Sequence, residues 1–199
     1  MIPYTQPPPF HAQWGEDRWL AEHANLPERG VFVDVGAGDG VRGSNTLYWE
    51  RRGWTGLCVD ADPRNQQSLA GRTCRTASCA VASQPGPRTF SMYGPRPSLS
   101  GLAVAGPDYR PITVECRPLA ALLADAGIGK IDLLSIDVEG TELDVWDSFD
   151  HHRHHSRIVI IEYSEEQRGR NAAEIKRHLG PRYEQIHRTP SNLILRSRE

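Results

Sequence analysis

The stretch Val31-Phe-Val-Asp-Val-Gly-Ala-Gly-Asp-Gly40 decides the fold. Its first half is β-branched and apolar around Asp34, as a buried strand is, and its second half is a turn only glycines make easily. The glycine spacing is GxGxG. A dinucleotide turn has GxGxxG, with glycines for the tight turn, the approach of the pyrophosphate and helix packing. Gly36 and Gly38 fit that pattern, but its last glycine falls on Val41, and the strand ends beside an acid at Asp34. A pyrophosphate is poorly matched to that charge; a sulfonium with an amino-acid tail is well matched.

Working outward, Ser44 to Arg52 has helical composition and Gly53 is suited to stop it. The next apolar run, Gly56-Leu-Cys-Val-Asp-Ala-Asp-Pro63, reads as a second strand ending in Asp60. An acid closing the second strand of a βαβ unit accepts hydrogen bonds from both hydroxyls of a ribose. The first half of the chain therefore offers a backbone cradle and a ribose acceptor, which an adenosine-bearing cofactor needs.

Three blocks, GVFVDVGAGDGVRGSNTLYWERRGWTGLCVDADP, the later IDLLSIDVEGTELDVW and the upstream QWGEDRWL, together resemble the FkbM-type family of S-adenosylmethionine-dependent methyltransferases. The resemblance runs from about Gln13 to Leu195. Two departures are mild: Asp-Ala-Asp-Pro replaces a more usual glutamate after the second strand, and His11 and Ala12 precede Gln13 where a serine is common. The resemblance implies a class I, Rossmann-like α/β fold: a mostly parallel sheet, helices on both faces and an antiparallel C-terminal hairpin. It implies methyl transfer from S-adenosylmethionine to a hydroxyl of a sugar, a glycan or glycolipid, or a secondary metabolite. Asp34 with Gly36, Ala37, Gly38, Asp39 and Gly40 would hold the methionine part, and Ser44 and Asn45 its carboxylate at a helix start. Asp60 would hold the ribose and Cys79, Ala80 and Val81 the adenine, Ala61 and Asp137 would also meet the cofactor, and the segment with Gln13 and Asp17 would close over it.

A chain of 199 residues suits one domain, 1–199, with an N-terminal arm and helix over 1–28. The formal charge of -2 gives no basic field for a nucleic acid. The start, MIPYTQPPPF, has prolines where a signal peptide needs an apolar run, and the apolar stretches are strand-sized. A cytoplasmic protein with no stable membrane insertion is expected, with homo-oligomerisation left open. Cys58, Cys74, Cys79 and Cys116 show no metal-like spacing and read as core thiols.

Beyond the second strand the alternation continues. Pro118-Leu-Ala-Ala-Leu-Leu-Ala-Asp-Ala-Gly127 is a helix with proline in its first turn and glycine at its stop. Leu143, Trp146 and Phe149, then Ile175 and Leu179, give further helical faces. Tyr183 to His187 and Asn192 to Leu195 form the closing hairpin. Residues 83–111 break the pattern: rich in proline, glycine and arginine, they read as an acceptor-side loop insertion, or else as a meandering surface hairpin. If the segment is functional, Arg88, Arg96 and Arg110 would receive an acidic or phosphorylated acceptor.

The strands ending in Asp34, Asp137 and Glu162 bring three carboxylates to one sheet edge, with Glu139 just beyond. Clustered carboxylates need a cation or a shared proton. Asp137, supported by Glu139 and Glu162, is the expected base, or Asp137 and Glu162 hold Mg2+ or Mn2+ through oxygen ligands. His11 is a further candidate base on the arm, and His187 is left open. Glu142 reads as charge at a helix start. Asp150-His-His-Arg-His-His155 reads as a solvated loop at the opposite edge. Two rivals remain: a cofactor-binding module without catalysis, and a nucleotide-dependent oxidoreductase, which the missing third glycine weakens.

Overall fold

The structure is a computed structural model and describes residues 9–167 and 170–198. Among the described residues ten strands and six α-helices alternate. Seven strands make one sheet: β1 (Val31–Val35), β2 (Thr55–Val59), β3 (Arg75–Ala77), β7 (Ile131–Ile136), β8 (Ser156–Glu162), β9 (Tyr183–Arg188) and β10 (Asn192–Ser197). Their order is β3-β2-β1-β7-β8-β10-β9. The pairs are parallel except those of β10, which runs antiparallel to both β8 and β9. The expected closing hairpin is therefore present. The chain steps outward from β1 to β3 and then returns to the far side of β1 at β7. The order reverses between β1 and β7, where an open α/β sheet leaves its crevice.

Period-two alternation sends neighbouring side chains to opposite faces. Val33 and Val35 point into one core with Leu134, Ile136, Val159 and Ile161. That face is covered by α4 (Leu119–Ala126), α5 (Glu142–Trp146) and α6 (Ala172–Leu179), through Leu119, Leu122, Leu123, Trp146, Ile175 and Leu179. Phe32, Cys58, Leu133, Ile158 and Ile160 point the other way. There α1 (Glu16–His23), α2 (Leu47–Arg51) and α3 (Gln66–Leu69) cover them through Leu20, Tyr48, Trp49 and Leu69. Each such fully buried side chain contributes about 1.5–3 kcal/mol relative to exposure, so both helical layers are held by many small terms.

Two elements differ from the sequence reading. The helix expected from Ser44 begins at Leu47, because the Ser44 hydroxyl accepts from the Leu47 N–H at 3.1 Å and occupies the turn that would have been helix. Of the two readings of segment 83–111, the structure shows the hairpin rather than the loop: β5 (Gly86–Tyr93) and β6 (Tyr109–Arg117) pair antiparallel and, with β4 (Ala80–Val81), form a second sheet of order β4-β6-β5. Pro87 is tolerated because β5 is an edge strand, and Pro111 because β4 pairs only with Cys116 and Arg117, leaving that flank of β6 open. Residues 83–85 and the connection 94–108, which has one 3₁₀ turn at Pro97–Leu99 and a lone bridge from Gly101 to Ser91, lie outside the strands.

No helix among the described residues is long and apolar enough to cross a membrane.

Candidate functional site

A cavity of about 490 Å³ opens at the carboxyl ends of β1, β2 and β7. Its floor is the glycine turn. Gly36, Gly38 and Gly40 all have positive φ, at 82°, 58° and 76°. At Gly36 a Cβ would lie 1.6 Å from the Asp137 carbonyl oxygen, so only glycine lets β1 pass this close to β7. Gly38 has nothing within 4 Å of a built Cβ and faces the open cradle.

Asp60 is 9% exposed and closes the cavity beyond β2. One carboxylate oxygen accepts from the Gly38 N–H at 2.9 Å, the other from Asp62 N–H at 2.9 Å and from Asn65 Nδ2 at 3.0 Å. Burial raises its pKa to about 6 against the pull of those three donors. The acid thus ties the end of β2 to the glycine turn and still borders the cavity. Two residues on, Arg64 pairs with Asp62 at 2.6 Å. Its guanidinium also reaches Tyr93 O at 2.9 Å and Ser100 Oγ at 3.1 Å. This fastens the tip of the β5–β6 hairpin over the cavity, where Phe90, Arg96 and Leu102 join the wall.

On the β1 side, Asp34 is buried and accepts from Thr46 Oγ1 at 2.6 Å. Burial raises its pKa, which Thr46, Arg72 and Ser135 oppose. Asp34 lines the floor of the cavity with its carboxylate engaged by Thr46 and Ser135. Asn45 donates to Ser135 Oγ at 3.1 Å, while its amide oxygen is buried with no protein donor. An orphaned acceptor bordering the cavity suits an ammonium or amide N–H of a ligand. Beneath them Arg72 joins Glu50 at 2.6 Å and Gly40 O at 2.8 Å.

Asp137, Glu139 and Glu162 present oxygens within 4.8 Å of one another, the one such group of potential metal ligands among the described residues. Asp137 and Glu139 line the cavity; Glu162 stands behind them. Glu139 holds φ of 59°, an unusual conformation for a non-glycine residue and a mark of a functional turn. Burial raises all three pKa values, and the neighbouring carboxylates add to it. Asp137 is held well above its ordinary value by burial and then by Glu162, Glu139, Glu142 and Asp34. Glu139 reaches about 7 and Glu162 about 8, both restrained by Arg170. Arg170 joins Glu142 at 3.0 Å and also bonds Glu162. Glu142 is more than the helix-start charge expected of it: it is 2% exposed and accepts from the Gly140 N–H at 2.8 Å, so it fastens the Glu139 turn. A second hollow of about 550 Å³ adjoins the cavity and shares Glu139 and Thr141 with it.

The cavity gathers most residues singled out from the sequence: Gln13, Ala37, Asp39 and Ser44 border it besides those above, and Ala61, Cys79, Ala80 and Val81 form its inner end. His11 does not border it. The His11 ring nitrogen lies 2.9 Å from Arg51 on α2, and burial together with Arg51 and Arg72 lowers its pKa. Asp17 is also displaced from its expected role. It is fully buried and accepts from the N–H groups of His11 and Ala12, at 2.6 and 3.2 Å, so it shapes the arm that carries Gln13. Gly40 is structural, facing Leu69 and Arg72. His187 stacks on Trp19, ring centroids 4.3 Å apart, away from the cavity. Of the three arginines expected to meet an acceptor, Arg96 lines the cavity, Arg88 pairs with Asp144 at 3.6 Å, and Arg110 is exposed on β6. The histidine run is not simply solvated: His151 stacks on Trp146 at 4.1 Å and His154 is 7% exposed. Arg170 and Arg72 had no sequence signal, since each lies in a polar stretch whose partners are distant in the chain.

A mixed α/β sheet with its crevice at the switch point, a glycine turn after β1, an acid after β2 and carboxylates after β7 defines a Rossmann-like protein of the methyltransferase type. The methyltransferase FkbM domain matches residues 34–188, most of the chain, and the protein belongs to that family. A comparison with curated proteins finds no match.

Proposed function

We propose that this chain is an S-adenosylmethionine-dependent O-methyltransferase acting on a hydroxyl of a sugar, a glycan or glycolipid, or a secondary metabolite. The observation that carries the reading is that Asp60 and Glu139 border one cavity, an adenosine-type acceptor at one end and a carboxylate of raised pKa at the other. The donor supplies a methyl group on a sulfonium. Asp60 binds the ribose hydroxyls, the glycine turn and the Asn45 amide oxygen bind the amino-acid tail, and the Cys79–Val81 segment with Leu102 packs the base.

The second hollow seats the acceptor, which reaches the methyl past Glu139 and Thr141. An alcohol is a weak nucleophile until its proton is taken. Asp137 and Glu139 receive that proton at a carboxylate oxygen, and Glu162 and Arg170 set how readily they do so. The hairpin tip held by Arg64 excludes water and aligns acceptor with donor, which is most of what an in-line displacement needs. A second reading, favoured by the three oxygens within 4.8 Å, has Asp137 and Glu162 hold Mg2+ or Mn2+, which would stabilise the alkoxide.

Calorimetric titration with S-adenosylhomocysteine tests the reading. Asp60→Ala removes an acceptor of two ribose hydrogen bonds and should weaken binding by about 2 kcal/mol or more. Equal affinities in wild type and variant would sink the ribose assignment, and no binding to wild type would sink the cofactor.

A further inference from the structure

The opposite edge of the large sheet holds a separate concavity of about 510 Å³, bordered by Lys130, His152, His155, Arg157, Arg182, Arg196 and Ser197. These residues come from four places in the chain: the start of β7, the turn into β8, the start of β9 and the end of β10. Strand register brings them together, because Ile131 pairs with Ser156, Arg196 with Ile158 and Ser197 with Tyr183. β10 is antiparallel, so its last residues return to the edge at which β7 and β8 begin. In a chain of formal charge -2 this edge gathers four cationic side chains and two histidines around one hollow, and none of the carboxylates of the described residues lines it.

The cations are partly held in place. Lys130 lies 3.6 Å from Asp132, and Arg196 bonds Glu184. The Arg157 guanidinium donates to the Asn25 carbonyl at 3.1 Å and has no carboxylate partner among the described residues. His155 is fixed by Ser197 Oγ at 2.7 Å. Asp132 and Glu184 offset part of this charge from behind the hollow, and a guanidinium fork matches a phosphoryl group in shape as well as charge. The hollow is too small and concave for a duplex face and suits a small ligand.

We propose that this edge is a binding site for a small polyanion bearing phosphoryl groups, separate from the methyl-transfer cavity at the other ends of the same strands. The site does not depend on the functional reading above. Calorimetric titration of the whole chain with pyrophosphate at 0.15 M salt tests it. Saturable binding of one pyrophosphate per chain is expected, weakened at least tenfold in Arg157→Ala and in the exposed Lys130→Ala, and unchanged by saturating S-adenosylhomocysteine. Loss of saturation at that salt would mean diffuse attraction only and would overturn the site, as would equal affinity in Lys130→Ala. Citrate binding as tightly as pyrophosphate would overturn the phosphoryl assignment.

Discussion

Replacing Arg72 by methionine should destabilise the protein severely although Arg72 touches no ligand position. The side chain is 2% exposed and its partner Glu50 is 6% exposed, at 2.6 Å. Removing one partner of a buried pair costs about 3–5 kcal/mol, because the other charge is left without compensation. Glu50 retains the Thr73 N–H and hydroxyl, each at 2.7 Å, which places the electrostatic part near the lower end. The Gly40 carbonyl, accepting from Arg72 at 2.8 Å, and Thr46 Oγ1, at 3.1 Å, also lose a donor. Each lost hydrogen bond adds about 1 kcal/mol, for a total of roughly 4–5 kcal/mol. For a chain of this size that corresponds to roughly 8–20 °C in Tm.

Urea denaturation followed by tryptophan fluorescence measures the loss, and a cycle with Glu50→Gln separates the pair from the packing. The double variant should be less unstable than the two single losses added. Burial alone would raise the Glu50 carboxyl, but Thr73 and Arg72 outweigh it and hold its pKa below the ordinary value. The stability it lends is therefore present above the unfolded carboxylate pKa and fades as pH falls through the lower folded value. The gap between wild type and Arg72→Met should narrow in acid. A loss under about 1 kcal/mol at pH 7, or strict additivity in the cycle, would refute the reasoning.

Four further outcomes are expected. Gly36→Ala places a methyl against the Asp137 carbonyl at a positive φ and should abolish folding or S-adenosylhomocysteine binding, as read by circular dichroism and titration. Asp137→Asn should abolish methyl transfer with cofactor binding retained; chelation should remove activity only if Asp137 and Glu162 hold a metal, and full activity in both Asp137→Asn and Glu162→Gln would overturn the carboxylate assignment. Because Glu139 and Glu162 sit near 7 and 8, transfer should rise with pH across that window as the base loses its proton, and Arg170→Met should move the rise to higher pH; an unshifted profile counts against Arg170. Replacing 95–107 by a short turn should remove turnover on the true acceptor while leaving S-adenosylhomocysteine bound, whereas full turnover would make the hairpin tip dispensable.

The central strands β1, β2, β7 and β8 were legible from the chain because they are largely buried and read as apolar runs with Asp34, Asp60, Asp137 and Glu162 at their ends, whereas the exposed β3 was not. The glycine turn was legible for the same local reason: positive φ at Gly36 and Gly38 leaves few other residues eligible. The hairpin of residues 86–117 was legible only as one of two readings, beside an acceptor-side loop. Its strands carry proline at Pro87 and Pro111, tolerated only because one strand is an edge and the other is open on its β4 flank at that point, a fact of sheet order rather than of sequence.

The site divides along the same line. Positions fixed by a strand end were readable, while those fixed by a tertiary ion pair were not. Arg170 is the clearest case. Glu142 and Glu162 lie 28 and 8 positions before it, and nothing in their spacing marks a shared cation. Yet without Arg170 the four carboxylates Asp137, Glu139, Glu142 and Glu162 would face one another around one turn with only protons to relieve them. One guanidinium cannot neutralise four acids. It engages Glu142 and Glu162, which do not line the cavity, and leaves Asp137 and Glu139, at the wall, with pKa values raised by burial and by their acidic neighbours. Under the proposed function that division of charge fits a strand-end acid to act as a base: Arg170 holds Glu142 and Glu162, while burial keeps the two lining residues at a raised pKa, ready for an acceptor's proton.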